Sequence, residues 1–198
     1  MKKALLVIIG IVFTSFVLTS AYIMYQKIVE QNKEQKLVED NKSKRKQMAL
    51  SSIAFIDDSN IPDKYTCKGE NISPPLTISG VPPNTKSLAI IMDDPDAANE
   101  PTGNGRTFDH WIVFNISPSI TKITENSSMS GSNLGTNSFG RTKYGGPCPP
   151  TLEHTYVFKL YALDIKLGLE DGASKTEVQN ALAGHILSQA QLTGKYKK

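Results

Sequence analysis

The chain is short of the residues that most metal and redox chemistry needs. It has two cysteines and three histidines in 198 residues. Cys67 and Cys148 stand 81 positions apart with no CxxC pair, which argues against a cysteine-built zinc site. No H-x-x-x-H spacing nominates a metal, and no serine sits in a nucleophile elbow. No resident metal or cofactor is expected, and no catalytic residue is nominated. Internal repeats are lacking too.

Basic charge is also scarce where it would matter. Residues 1–52 carry nine Lys/Arg against four Asp/Glu, whereas residues 53–198 carry 13 against 15. The overall charge of +3 therefore comes from the N-terminal quarter. The rest of the chain has no electrostatic footprint for nucleic acid.

What is present first is a long uncharged run. Ala4 to Tyr25 contains no charged side chain, with Lys2 and Lys3 before it and Lys27 after it. At about 1.5 Å per residue such a run matches a bilayer core. The expectation is an uncleaved transmembrane anchor over 1–26, with the following domain outside the cytoplasm. The alternative is a secretory signal cleaved near Thr19-Ser20-Ala21, releasing a secreted domain. Residues 27–52, rich in Lys, Glu and Gln, are expected to form a solvated, partly helical linker whose lysines could lie against anionic headgroups.

Residues 53–198 are enough for one domain. Their apolar runs are short and β-branched or aromatic: Leu76–Ile78, Ser87–Met92, Trp111–Ile116 and Tyr156–Leu163. Pro, Gly, Asn and Ser separate them. Several strands without alternating helices predict a mostly β sandwich. One helix is expected near the end. Ser174 and Glu177 form a capping box, and Val178, Ala181, Leu182, His185 and Ile186 follow at helical spacing, with Gly194 as the stop. His185 reads as a partly buried structural histidine. Glu125 to Ser138 reads as a long surface loop.

Three groups could carry chemistry. Asp93-Asp94-Pro95-Asp96 places three carboxylates after a buried strand, a costly arrangement unless each is paired or hydrogen-bonded. The competing reading is a turn whose Asp side chains bond local amides. Asp109-His110-Trp111 opens another strand; His110 there is either a structural histidine or one held by a carboxylate. Tyr144-Gly145-Gly146-Pro147-Cys148-Pro149-Pro150, followed by His154 and Tyr156, is a stiff loop whose glycines permit close backbone approach.

The segments SLAIIMDDPDA, FDHWIVFNI, YGGPCPP and HTYVFKLYALD occur in this order, with IPDKYTCKGENISPPL upstream and AGHILSQAQLTGKY at the end. Together they resemble the phosphatidylethanolamine-binding protein family, in its bacterial Raf-kinase-inhibitor-like branch. The resemblance implies a Greek-key β-sandwich with C-terminal helical elements. It also implies an anion pocket formed by Asp94, Asp96, His110, Tyr144, Gly146, Pro149 and His154. The implied partners are a phosphate-like anion or phospholipid headgroup, and a kinase or protease that such a protein would inhibit. An aspartate pairing with His110 or His154 would make that ring a charged donor to the anion. The loops of Cys67 and Cys148 would meet at one end, either disulfide-bonded or as two buried thiols. Ala98, Leu152 and Thr155 depart from the residues usual in the family. A phosphoester hydrolase and a purely structural domain are the alternative functions.

Overall fold

The structure, a computed structural model, describes residues 18–39, 47–101 and 105–198. The chain divides into two compact units, residues 1–45 and 46–198.

In the first unit residues 18–39 form a helix, α1, exposed along its length. Residues 4–17 of the expected membrane span lie outside the described residues. The described helix runs from the end of the uncharged run into the charged residues Lys27, Glu30, Lys33, Glu34, Lys36 and Glu39 of the expected linker. No helix among the described residues is long and apolar enough to cross a membrane. The membrane-anchored localisation expected from the sequence is corrected accordingly. Thr19, Ser20 and Ala21, the alternative cleavage site, lie within α1.

The second unit is a sandwich of two sheets. Among its described residues nine strands follow in order: β1 (Ala49–Ser51), β2 (Ser59–Asn60), β3 (Leu76–Ser79), β4 (Ser87–Asp94), β5 (Phe108–Ile116), β6 (Lys122–Ile123), β7 (Asn133–Leu134), β8 (His154–Leu163) and β9 (Ile186–Tyr196). One sheet has the order β1-β3-β6 and the other β2-β9-β8-β4-β5-β7. The crossover from β5 to β8 brings a late strand beside β4, antiparallel to it from Ser87↔Leu163 to Asp93↔Val157. β1 lies in the stretch assigned to the linker. Met48 and Leu50 draw it in, since both are buried in the core.

β4 is buried at every position because it is covered on both faces. Leu88, Ile90 and Met92 face the inter-sheet core with Leu76, Ile78, Trp111 and Phe158. Ala89 and Ile91 face the other way, packing with Ile112, Phe114 and the helix α2 (Lys175–Leu182) through Val178 and Leu182. A continuous apolar strand flanked by neighbours on both sides is what such a double covering demands.

The capping box of α2 forms: Glu177 N donates to Ser174 Oγ, and Ser174 N donates to Glu177 Oε2. The rest of the expected helix is corrected. α2 stops at Leu182, and Gly184, at φ 82°, provides the left-handed residue that ends it. His185 is outside the helix and half-exposed, with its Nδ1 2.9 Å from Asp164 Oδ1. Ile186–Tyr196 is a strand paired along β8, and its inward positions Leu192, Gly194 and Tyr196 alternate. Gly194 is no helix stop: a Cβ there would lie 2.4 Å from Ile61 Cγ1. The expected loop 125–138 contains β7, which pairs with β5.

Candidate functional site

The acidic turn is resolved by strand alternation, which sends successive side chains to opposite faces. Asp93 points to the α2 face, where Lys159 and Lys175 reach its Oδ2 at 3.0 and 2.9 Å. Asp94 points the other way. Its Oδ1 accepts from Ala97 N at 3.0 Å, closing the turn over Pro95, and its Oδ2 lies 2.7 Å from His154 Nδ1. Asp96 accepts from Thr155 N at 2.7 Å. Both readings of the turn thus meet in Asp94, which bonds a local amide and pairs with a histidine, while Asp93 and Asp96 are held by partners distant in sequence.

His154 opens β8 and is held on both sides, since its Nε2 is 3.0 Å from Glu100 Oε1. Two carboxylate acceptors on two ring nitrogens require both N–H groups, so the ring is imidazolium. Burial opposes that charge, but the hydrogen bonds and charges of Asp94 and Glu100 outweigh it and raise the pKa above 6.5. Glu100 is correspondingly lowered by its bonds to His154 and Thr151.

His110 behaves oppositely. Its Nδ1 lies 2.6 Å from Gly145 O, which can only accept, so the proton is on Nδ1. Burial is the main influence and lowers its pKa, despite the nearby aspartates. His110 is therefore a neutral ring. Of the two histidines considered as charged donors, the aspartate pairs with His154.

Between these rings lies a cavity of about 520 Å³, lined by Asp94, Glu100, His110, Pro149, His154 and Tyr156, with Phe108 and Phe139 as apolar walls. Tyr156 is two residues after His154 on β8 and so shares its face. Its ring packs edge-on to His110, with centroids 5.2 Å apart. Its hydroxyl is buried without a hydrogen-bond partner among the described residues. Burial, followed by the charge of Asp94, pushes its pKa far up, so it stays a proton donor. The Asp94 carboxylate and the Cys148 backbone act on the hydroxyl as weak acceptors at the margin of hydrogen bonding, and neither completes a bond of good geometry with it.

Four expected site residues, Asp94, His110, Pro149 and His154, line this cavity. Asp96, Tyr144 and Gly146 do not. Asp96 lines a neighbouring cavity. Tyr144 Oη donates to Tyr65 O at 2.8 Å, and Gly146 N donates to Asn71 Oδ1 at 2.7 Å. A Cβ on Gly146 would lie 2.4 Å from Tyr65 O, so that glycine serves loop-to-loop packing. Cys67 and Cys148 are joined by a disulfide with Cα atoms 5.4 Å apart, and Cys148 forms part of the cavity wall.

The sequence profile of the phosphatidylethanolamine-binding proteins matches residues 51–197. The chain belongs to the phosphatidylethanolamine-binding protein family. A UPF0098 protein of Methanothermobacter thermautotrophicus is 48% identical over 156 residues, spanning 76% of this chain and 99% of the relative. Among solved structures, a phosphatidylethanolamine-binding protein homologue of Chlamydia trachomatis is 41% identical with TM-score 0.72, covering 77% of this chain and 99% of that one. YbcL of E. coli, described as a member of the mammalian family, is 30% identical with TM-score 0.70 over the same shares.

Within this family fold the two histidines should titrate apart. By NMR, the His154 ring should have a midpoint above 6.5 and the His110 ring one below it. The signs for stability are opposite. A raised folded-state pKa contributes stability that is full below the unfolded value and is lost as pH rises through the folded value. The depressed value of His110 costs stability as pH falls below about 6.5. Midpoints in the reverse order would overturn the assignment of imidazolium to His154.

Proposed function

We propose that the protein binds a small phosphate-like anion in the cavity between His110, His154 and Tyr156. The observation that carries this reading is the buried Tyr156 hydroxyl, which has no acceptor in hydrogen-bond geometry among the described residues, on a ring whose centroid is 6.5 Å from that of His154. A buried donor of this kind costs free energy until an acceptor reaches it. A phosphate oxygen supplies that acceptor, and the charge of His154 supports it in surroundings made apolar by Phe108, Phe139 and Pro149. The neutral His110 ring, with its proton on Nδ1, leaves Nε2 to accept from a protonated phosphate oxygen or another ligand donor.

Free phosphate, a phospholipid headgroup and a phosphorylated side chain share the group this site would hold. Hydrolysis is the lesser reading. Cys148 is tied in a disulfide and the Tyr156 hydroxyl remains protonated, so neither serves as a nucleophile.

The test is a phosphate titration of the full chain and of Tyr156→Phe, followed by calorimetry and by the His154 ring signals. Removing one charge-assisted hydrogen bond should weaken binding roughly tenfold or more. Equal affinity in the folded variant would overturn the reading.

A further inference from the structure

We propose that Glu100 is a resident carboxylate of the cavity, holding the Nε2 edge of His154 that an incoming anion needs, so that a ligand binds by displacing it. This rests on the anion-site reading above and adds what competes for the site.

The two carboxylates on His154 are not equivalent. Asp94 is buried at the end of β4 and is fixed by Ala97 N as well as by His154 Nδ1. Moving it would open the turn that starts the 3₁₀ helix Asp96–Asn99. Glu100 follows that helix as its C-cap residue. Its Oε1 is held by His154 Nε2 and by the hydroxyl of Thr151 at 2.8 Å, and Thr151 is itself exposed. Withdrawal of Glu100 therefore breaks two side-chain bonds and leaves the backbone turn in place.

Glu100 and His154 also line a second cavity of about 280 Å³, with Asp96, Asn99, Thr151 and Leu152 among its other walls. The Glu100 side chain is thus part of the partition between two cavities. When it withdraws, an anion gains the imidazolium N–H, and a substituent on that anion gains room beyond it. A carboxylate tethered this close acts as a competitor at an effective concentration on the order of mM or higher, which sets a threshold that weak anions do not pass.

The test is a titration of the full chain with inorganic phosphate at about pH 6, where the His154 ring stays charged, read on its ring signals. Wild type is compared with Glu100→Gln and Thr151→Val. Glu100→Gln should bind phosphate about fivefold tighter or more. Thr151→Val keeps every charge in the cavity but frees Glu100 from its second bond. It should bind about twofold to fivefold tighter. Tightening in Glu100→Gln alone would show a charge acting at a distance and would overturn the proposal. Equal affinity in all three proteins would overturn it while leaving the anion site standing. If none of the three binds phosphate, the anion site falls and the proposal falls with it.

Discussion

Replacing Cys67 and Cys148 with serine should lower the stability of the domain by about 4 kcal/mol, measured as a shift in the urea midpoint. The bridge closes a segment with a sequence separation of 81. The loop-closure entropy it removes from the unfolded chain lies between the values for short and 100-residue loops, about 3 to 5 kcal/mol. The folded state has little need of the bond for its shape. The same two loops are tied by Cys67 N donating to Pro147 O at 3.0 Å, by Gly146 N donating to Asn71 Oδ1, and by Tyr144 Oη donating to Tyr65 O. The expected signature is therefore a large loss of stability with phosphate affinity nearly unchanged in the folded double variant. A folded variant that had lost its phosphate binding would mean instead that the bond positions the cavity wall.

The sequence was legible where burial and strand period act together. β3, β4, β5 and β8 each carry an apolar run that matches the observed strand, because these strands face the core directly. β9 was not legible. Its Ser188, Gln189, Ala190 and Gln191 carry no strong strand signal, and its first residue, Ile186, continues the helical spacing of Val178 and Leu182. Gly184 was the true stop signal, one residue after the C-cap, but Gly194 further on is equally a glycine and only the close approach of Ile61 explains it. The same contrast divides the site. Asp94, His110 and His154 stand at strand ends, where the register brings them together. Tyr156 follows from His154 by simple alternation, although the anion pocket drawn from the family resemblance passed over it. Tyr144 and Gly146 share a rigid loop with Pro149, yet a loop's path does not show which of its residues face a cavity and which face a neighbouring loop. Glu100 lies beyond a short 3₁₀ turn, and no periodicity ties that position to His154.

Lys175→Met should cost roughly 3 kcal/mol of stability, because it leaves the buried Asp93 and the half-buried Asp109 short of a counter-charge. Asp93 and Asp109 are cross-strand partners on β4 and β5, a pairing of like charges that is unfavourable by itself. Lys175 resolves it, with Nζ 2.9 Å from Asp93 Oδ2 and 2.6 Å from Asp109 Oδ1. The position is otherwise poor for a lysine. It is the first residue of α2, where the helix dipole favours negative charge. The two carboxylates, along with Thr107 Oγ1 at 2.9 Å, thus account for its being there. Lys159 holds Asp93 from the other side but is about one-third exposed, so it replaces only part of what is lost. Asp93 Oδ1 already lacks a partner among the described residues, which leaves that carboxylate little further stabilisation to draw on. Adding Asp93→Asn to Lys175→Met should recover part of the loss, because the buried charge that needed the lysine is gone. A double-mutant cycle in urea reads this coupling directly. If Lys175→Met costs as much in the Asp93→Asn background as in wild type, the lysine contributes through packing of its stem and its bond to Asp109, and the ion pair across the sheet carries no weight in holding α2 to β4.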